Sequence, residues 1–88
     1  MPYIKKEYRP DLDKLINPLI THLKNVPVES QDGQMNYIIT RLLKGVYGKR
    51  YFDLNRAIGV LSCVMLEFYR RVVGPYEDEK IKENGDVE

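Results

Sequence analysis

The chain has little that could tie it together covalently or hold a metal: of its 88 residues, one is cysteine, one is histidine and none is tryptophan. One cysteine excludes an internal disulfide, and a lone Cys with a lone His cannot complete a zinc site. The uncharged stretch at residues 57–66 is far shorter than the roughly 20 apolar residues that span a bilayer. Residues 1–6 also lack the apolar run of a signal peptide. These absences predict a cytoplasmic protein with no metal, no cofactor and no membrane partner.

The composition is that of one folded domain, with 43% hydrophobic and 31% charged residues. A chain of this size buries only roughly 60–65% of its unfolded surface, so oligomerisation is a common aid to its stability. The charge is uneven: residues 1–52 carry nine basic and five acidic side chains, whereas residues 76–88 carry two basic and six acidic ones. We predict a single domain over residues 1–88, with a solvated tail at residues 77–88 that is free to be flexible.

The spacing of the apolar side chains predicts an all-α protein. In the first helix they recur at i, i+3, i+4 and i+7, which is typical of one buried face: Leu12, Leu15, Ile16, Leu19, Ile20 and Leu23. Pro10 suits the start of this helix, and Pro18 should bend the helix without ending its stripe. The second helix follows a linker at residues 26–33, is capped by Ser30 or Asp32 and ends at Gly48. Its stripe is Met35, Ile38, Ile39, Leu42, Leu43 and Val46.

The third predicted helix covers residues 53–73, which is about 31 Å at 1.5 Å per residue. Asp53 is the expected N-cap, and Gly74 with Pro75 is the expected break. One face should form the core against the first two helices: Leu54, Ala57, Ile58, Leu61, Met65, Phe68 and Val72. A short helix over residues 76–84 should end at Gly85. The predicted fold is a three-helix core with a long, largely buried third helix and a short C-terminal helix.

The opposite face of the third helix carries a predicted self-association seam, formed by Gly59, Cys63, Leu66 and Arg70. Gly59 and Cys63 are four residues apart, so they lie one above the other and would let a second helix approach closely. Glu67 can pair with Arg70 or with the next arginine at helical spacing. A helix that is apolar on both faces needs more cover than the rest of this chain supplies. We therefore predict a homodimer that functions in protein binding.

Three segments resemble a family of short uncharacterised proteins: NYIITR at residues 36–41, LNRAIGVL at residues 54–61 and EFYRRVVGPYED at residues 67–78. The chain thus resembles a domain-of-unknown-function family of prokaryotes and their viruses. The two ends of the chain look similar as well, so the resemblance spans nearly the whole sequence. It implies a compact helical protein and brings no catalytic residues with it.

Nucleic-acid binding is an alternative prediction. A basic and aromatic region surrounds the junction of the second and third helices: Tyr37, Arg41, Lys44, Lys49 and Arg50. Basic side chains would neutralise phosphates, and tyrosines could stack on bases. However, the sequence pI of about 7.8 lies below the usual basic signature. The apolar third helix and the acidic C-terminal segment also oppose this function.

Enzymatic activity is not predicted. A magnesium-dependent nucleotide-processing enzyme needs paired carboxylates on facing helices, because Mg²⁺ prefers several oxygen ligands. The second helix has no acidic residue after Asp32, and the third has only Glu67 after Asp53. A glycine-rich phosphate loop is also missing. The sequence therefore supplies no catalytic, cofactor-binding or metal-ligating residues, and a small helical interaction module is the favoured interpretation.

Overall fold

Helices make up most of the protein in the computed structural model, which describes residues 2–88. The α-helices are α1 (Arg9–Asn25), α2 (Val28–Val46), α3 (Tyr51–Phe68) and α4 (Gly74–Asn84). A 3₁₀ turn, Lys6–Tyr8, precedes α1, and a π-helical turn, Tyr69–Val73, joins α3 to α4. Residues 2–88 contain no β-strand. The prediction of an all-α protein with a short C-terminal helix is confirmed.

α1 runs through Pro18 as one helix, as the uninterrupted apolar stripe predicts. Pro10 lies in the first turn, where backbone N–H groups have no partner within the helix, so its missing N–H removes no bond there. Pro18 lies in the interior, where a proline removes the hydrogen bond to the carbonyl four residues earlier. α1 therefore carries one strongly unfavourable residue in its middle.

The joint between α1 and α2 is shorter than the sequence suggests. Residues 26–27 alone separate the two helices, so α2 begins at Val28 and the prediction of Ser30 or Asp32 as its cap is wrong. The physical reason is Pro27, whose fixed φ of −55° leads directly into the helix. The Ser30 N–H donates to the Pro27 carbonyl at 2.9 Å and so closes the first turn ahead of both candidates.

Two side-chain contacts hold α1 and α2 together near this joint. The Gln31 amide donates to the Leu23 carbonyl at 3.0 Å, and His22 Nε2 lies 2.8 Å from Gln34 Oε1. Both contacts lie within about two turns of the joint. Away from it the α1 stripe stays exposed, and the α2 stripe is exposed at Leu42 and Val46 and half-buried at Ile38, Ile39 and Leu43. The hairpin is therefore open along most of its length.

α3 begins at Tyr51, with Arg50 as its N-cap residue, so the prediction of Asp53 as cap is also wrong. The Leu54 N–H donates to the Arg50 carbonyl at 3.0 Å, which starts the helix one turn earlier. Asp53 instead lies inside the first turn, where a negative charge is favourable near the helix N-terminus. A Cβ at Gly48 would lie 2.6 Å from Asp53 Oδ2, so a larger residue there would displace the Asp53 carboxylate.

Gly74 and Pro75 do not break the helical path. α4 starts at Gly74, which leaves Pro75 in its first turn, where no intrahelical N–H is needed. The preceding turn widens to the π geometry, and the Gly74 N–H donates to the Tyr69 carbonyl five residues back. α3, the π turn and α4 therefore form one continuous rod, and residues 77–84 of the expected tail are helical.

The prediction of a largely buried third helix is wrong for the single chain. Ala57 is the one buried residue among residues 2–88, and most apolar side chains of α3 are exposed. The radius of gyration is 16.6 Å, whereas a compact chain of this length has about 12 Å. The physical reason is that α1 and α2 meet near their joint and neither lies along α3.

We expect Pro18→Ala to raise the free energy of unfolding by up to about 3 kcal/mol, because alanine restores an interior hydrogen bond of α1. Pro10→Ala is the matched control and should change stability by less than about 1 kcal/mol, because the first turn tolerates proline. Urea unfolding followed by circular dichroism measures both values. Equal shifts for the two variants would contradict an unfavourable Pro18.

Candidate functional site

The predicted seam residues share one exposed face of the rod. Gly59, Cys63, Leu66 and Arg70 follow one another at spacings of four, three and four residues, and all are exposed. The side chain of Leu66 is apolar, yet the residue is 63% exposed. Nothing lies within 4 Å of where a Cβ of Gly59 would stand. The single chain therefore leaves this face open for a close approach.

Gly59 and Cys63 line a groove of about 480 Å³ together with residues from outside α3. The lining residues are Pro2, Tyr47, Arg56, Gly59, Val60, Cys63 and Val64. Helical spacing could have placed Arg56 beside Gly59, but no sequence signal places Pro2 or Tyr47 there, because loop paths bring them in. The groove extends the seam into a larger apolar surface, to which the N-terminal segment, the α2–α3 loop and α3 all contribute.

Arg56 gives the groove one charged wall. Its guanidinium carbon lies 5.2 Å from the ring centre of Tyr47 and 5.7 Å from that of Phe52. One guanidinium nitrogen lies 3.6 Å from Asp53 Oδ1. Two aromatic faces and one carboxylate therefore surround this cation, which orients the side chain along the groove.

The N-terminal segment is attached to the Arg70 end of the seam. The Tyr3 hydroxyl donates to Glu67 Oε2 at 2.7 Å, and Arg70 Nη2 donates to the same oxygen at 3.0 Å. The predicted helical pair of Glu67 with Arg70 is confirmed. Arg9 donates to the Ile4 carbonyl from Nε at 3.0 Å and from Nη2 at 2.8 Å, which secures the other end of the segment.

Glu67 is the electrostatic centre of this attachment, and its side chain is 18% exposed. The Tyr3 hydroxyl and the Arg70 guanidinium hold the pKa of the Glu67 carboxyl below its ordinary value, against an opposing effect of partial burial. In return, the bond to Glu67 raises the pKa of the Arg70 guanidinium. The ionised pair is thus favoured, and Arg70 is held at the edge of the seam.

The face of α3 that was predicted to pack on α1 and α2 is also uncovered. Ala57 is buried and Leu61 is half-buried, but the other side chains of this face are exposed: Leu54, Ile58, Met65, Phe68 and, in the π turn, Val72. The assignment of these residues to an intramolecular core is therefore wrong, because no helix of the same chain lies against them. α3 presents two unpartnered apolar faces.

The basic and aromatic residues lie around the α2–α3 junction. The Arg41 guanidinium carbon is 5.9 Å from the ring centre of Tyr37, and Nη1 donates to the Tyr37 hydroxyl at 3.2 Å. Lys44 follows three residues later on the same side of α2, and Lys49 lies in the loop. Arg50 Nε lies 3.5 Å from Asp53 Oδ2. The structure brings three of the five residues onto one helix face, and the other two lie in the loop.

Residues 2–88 contain no group of three or more His, Cys, Asp or Glu side chains placed to hold a metal ion. Within the same residues, no helix combines the length and the hydropathy that crossing a membrane requires. The thiol of Cys63 is exposed in the groove rather than buried as a core residue. The chemistry of this surface is that of an apolar groove flanked by cations.

We expect Tyr3→Phe to raise the pKa of Glu67 toward its ordinary value of 4.5, because the variant removes the strongest bond to the carboxylate. Since the wild-type pKa is lowered, the stability from this bond is present above the ordinary pKa and is lost as the pH falls through the lowered one. NMR titration of the Glu67 side-chain carboxyl carbon measures the shift. Tyr8→Phe, at an exposed tyrosine of the 3₁₀ turn, is the control. Identical titrations for the two variants would disprove the role of Tyr3.

Comparison with known proteins identifies the chain by family. A family model described as a domain of unknown function, DUF6899, matches residues 1–87. No curated protein and no solved structure matches the chain. The match covers almost the entire sequence, and it confirms the resemblance to an uncharacterised family. The protein thus belongs to the DUF6899 family.

Proposed function

We propose that this protein is a small helical module that self-associates, and that a second copy completes the core that one chain leaves open. The observation that supports this proposal is the exposed area. The chain exposes 8179 Å², whereas a folded monomer of 10.4 kDa exposes about 5,400 Å². The excess is therefore about 2,800 Å² for each chain.

An excess of this size matches an obligate interface. Two chains together carry an excess of about 5,600 Å², and permanent homodimers bury about 2,000 to 5,000 Å² or more in total, at interfaces that resemble a domain core cut in half. Here the exposed side chains include apolar residues of all of the first three helices, among them Leu15, Leu42 and Ile58. A second copy carries the same surfaces in equal amount, and a twofold arrangement would cover both sets at once.

The seam gives the association a place for close contact. Gly59 and Cys63 offer small side chains at the centre, Leu66 offers an exposed apolar side chain beside them, and Arg70 stands at the rim on Glu67. Small residues let two helix backbones approach, which increases the packed area for each residue. We propose no catalytic role for these side chains, and we propose a cytoplasmic location, where an exposed thiol such as that of Cys63 stays reduced.

Nucleic-acid binding is the second candidate, favoured by the exposed pair of Arg41 and Tyr37 with Lys44 beside it. A cation next to an aromatic ring suits a phosphate with a stacked base. It has less support because Arg50 is paired with Asp53 and because the contact would leave the apolar surface uncovered. Salt-sensitive retention of single-stranded RNA in a gel assay would favour it.

We expect the wild type to have a dimeric mass and Gly59→Leu to shift the equilibrium toward the monomer. In the single chain a side chain at Gly59 meets open space. Leucine also favours a helix over glycine by about 1 kcal/mol, so the variant should stay helical. Light scattering across a dilution series measures the mass, and circular dichroism checks the helix content.

Gly33→Leu is the matched control. Gly33 is also helical, and a Cβ there meets nothing within 4 Å. Gly33 lines a groove with Leu19 and His22 of α1 and lies outside the seam of α3, so this variant should keep the wild-type mass. A wild type that is monomeric at every concentration would refute self-association, and equal dissociation of both variants would refute the seam.

A further inference from the structure

The rod of α3, the π turn and α4 separates opposite charges along its length. It runs from Tyr51 to Asn84 without interruption, and the longest principal dimension of the molecule is 47 Å. The Tyr69 hydroxyl donates to a Glu77 carboxylate oxygen across the π turn, and this bond raises the pKa of Tyr69. α4 is thereby joined to the first residue of the π turn by a side-chain contact as well as by the backbone.

The acidic end of the rod keeps a surplus of carboxylates. Lys80 pairs with Glu83 at 3.1 Å and Lys82 pairs with Glu79 at 3.2 Å, so both lysines of this segment are occupied. The remaining carboxylates have no salt bridge within residues 2–88; they form the acidic end and are Glu77, Asp78, Asp86 and Glu88.

The start of the rod carries the opposite charge. Arg50 and Arg56 share Asp53, at 3.5 Å and 3.6 Å. The cations at this junction without a salt bridge in residues 2–88 are Arg41, Lys44 and Lys49, which we call the basic cluster. Within one chain the length of the rod separates the acidic end from the basic cluster. From Tyr51 to Gly74 the helical path is about 34 Å at 1.5 Å per residue, which is longer than the Debye length of about 8 Å at physiological salt.

We propose that two copies pair antiparallel through α3, so that the acidic end of each copy faces the basic cluster of the other. This inference rests on the self-association proposed above and adds the orientation of the partner. α3 carries exposed apolar side chains along its length, as α1 and α2 do, and the acidic end and the basic cluster lie beyond the two ends of α3. The apolar contact between the two copies would therefore lie at the middle of α3, and the charges would determine whether the two helices pair parallel or antiparallel.

The lengths of the elements fit this arrangement. With the crossing centred between Gly59 and Cys63, the start of α3 lies about 15 Å from the centre and α4 lies about 20 to 35 Å away, at 1.5 Å per residue. Each α4 would thus extend past the start of the partner's α3, where the loop and the end of α2 carry the basic cluster. At the centre, Gly59 would stand opposite the partner's Cys63.

Charge pairs of this kind set orientation more than affinity. Exposed ion pairs contribute little each, but placing like charges opposite one another disfavours the wrong arrangement. Parallel pairing would bring the two acidic ends together and the two basic clusters together. Antiparallel pairing places an acidic end beside a basic cluster at two positions in the dimer, because a twofold axis repeats each contact.

A charge-swap cycle tests the orientation, with dissociation constants measured by analytical ultracentrifugation at low salt. Lys44→Glu with Lys49→Glu reverses the basic cluster, and Asp78→Lys with Asp86→Lys reverses the acidic end. In an antiparallel dimer each double variant should raise the dissociation constant by about tenfold, and the combined quadruple variant should recover most of the loss. Lys5→Glu with Lys6→Glu makes the same charge change on the N-terminal segment and is the control. In a parallel dimer the cycle would show no recovery.

A disulfide test gives a second readout. A variant with Gly59→Cys and Cys63→Ser is mixed with the wild type and oxidised. Antiparallel pairing brings the introduced thiol opposite the partner's Cys63, so the mixed disulfide dimer should dominate. Parallel pairing would instead link two identical chains, because a disulfide needs Cα atoms within about 7 Å.

The outcomes separate this inference from the proposed function. A mixed disulfide with recovery in the charge cycle supports antiparallel pairing. A dimeric wild type that forms only disulfides between identical chains, without recovery, overturns the orientation and leaves self-association standing. A monomeric wild type at every concentration overturns both.

Discussion

The apolar surface of α3 is the constraint on which the rest of the structure depends. α3 is apolar on two faces, yet the rest of the chain buries only Ala57 of this helix and half-buries Leu61. Ordering a backbone costs roughly 1 to 2 kcal/mol for each residue, and burial of apolar area must offset that cost. A chain that leaves this much apolar surface in water lacks the offset. Folding and association are therefore expected to be coupled, as in obligate homodimers whose isolated chains have no stable fold.

Local structure could be predicted well from the sequence. The apolar period identified all three long helices, and their stripes lie where the pattern places them. Gly85 follows α4 with a φ of 87°, which a glycine adopts without strain and which ends the helix as expected. The errors at the other ends share one cause. Pro27 and Arg50 supply the turns that start α2 and α3, and backbone bonds closed those turns before the expected polar caps were reached.

Tertiary contacts could not be predicted in the same way. Periodicity shows which side of a helix avoids water, but it does not show which element covers that side. The bond between Tyr3 and Glu67 joins residues 64 positions apart, and no spacing rule points to it. The groove beside Gly59 likewise depends on where the loops place Pro2 and Tyr47. The face assigned to an internal core was therefore correctly recognised as apolar and wrongly given a partner within the chain.

The π turn links this local chemistry to the proposed assembly. A sharp break at Gly74 and Pro75 would let α4 turn back, and the acidic end could then reach the basic cluster of its own chain. The wider turn instead absorbs the proline, and the bond from Tyr69 to Glu77 joins the two sides of the turn. The opposite charges are thereby kept at opposite ends of one rod. Because the continuous helix holds them apart within one chain, we propose that their attraction acts between chains, where it would favour an antiparallel partner.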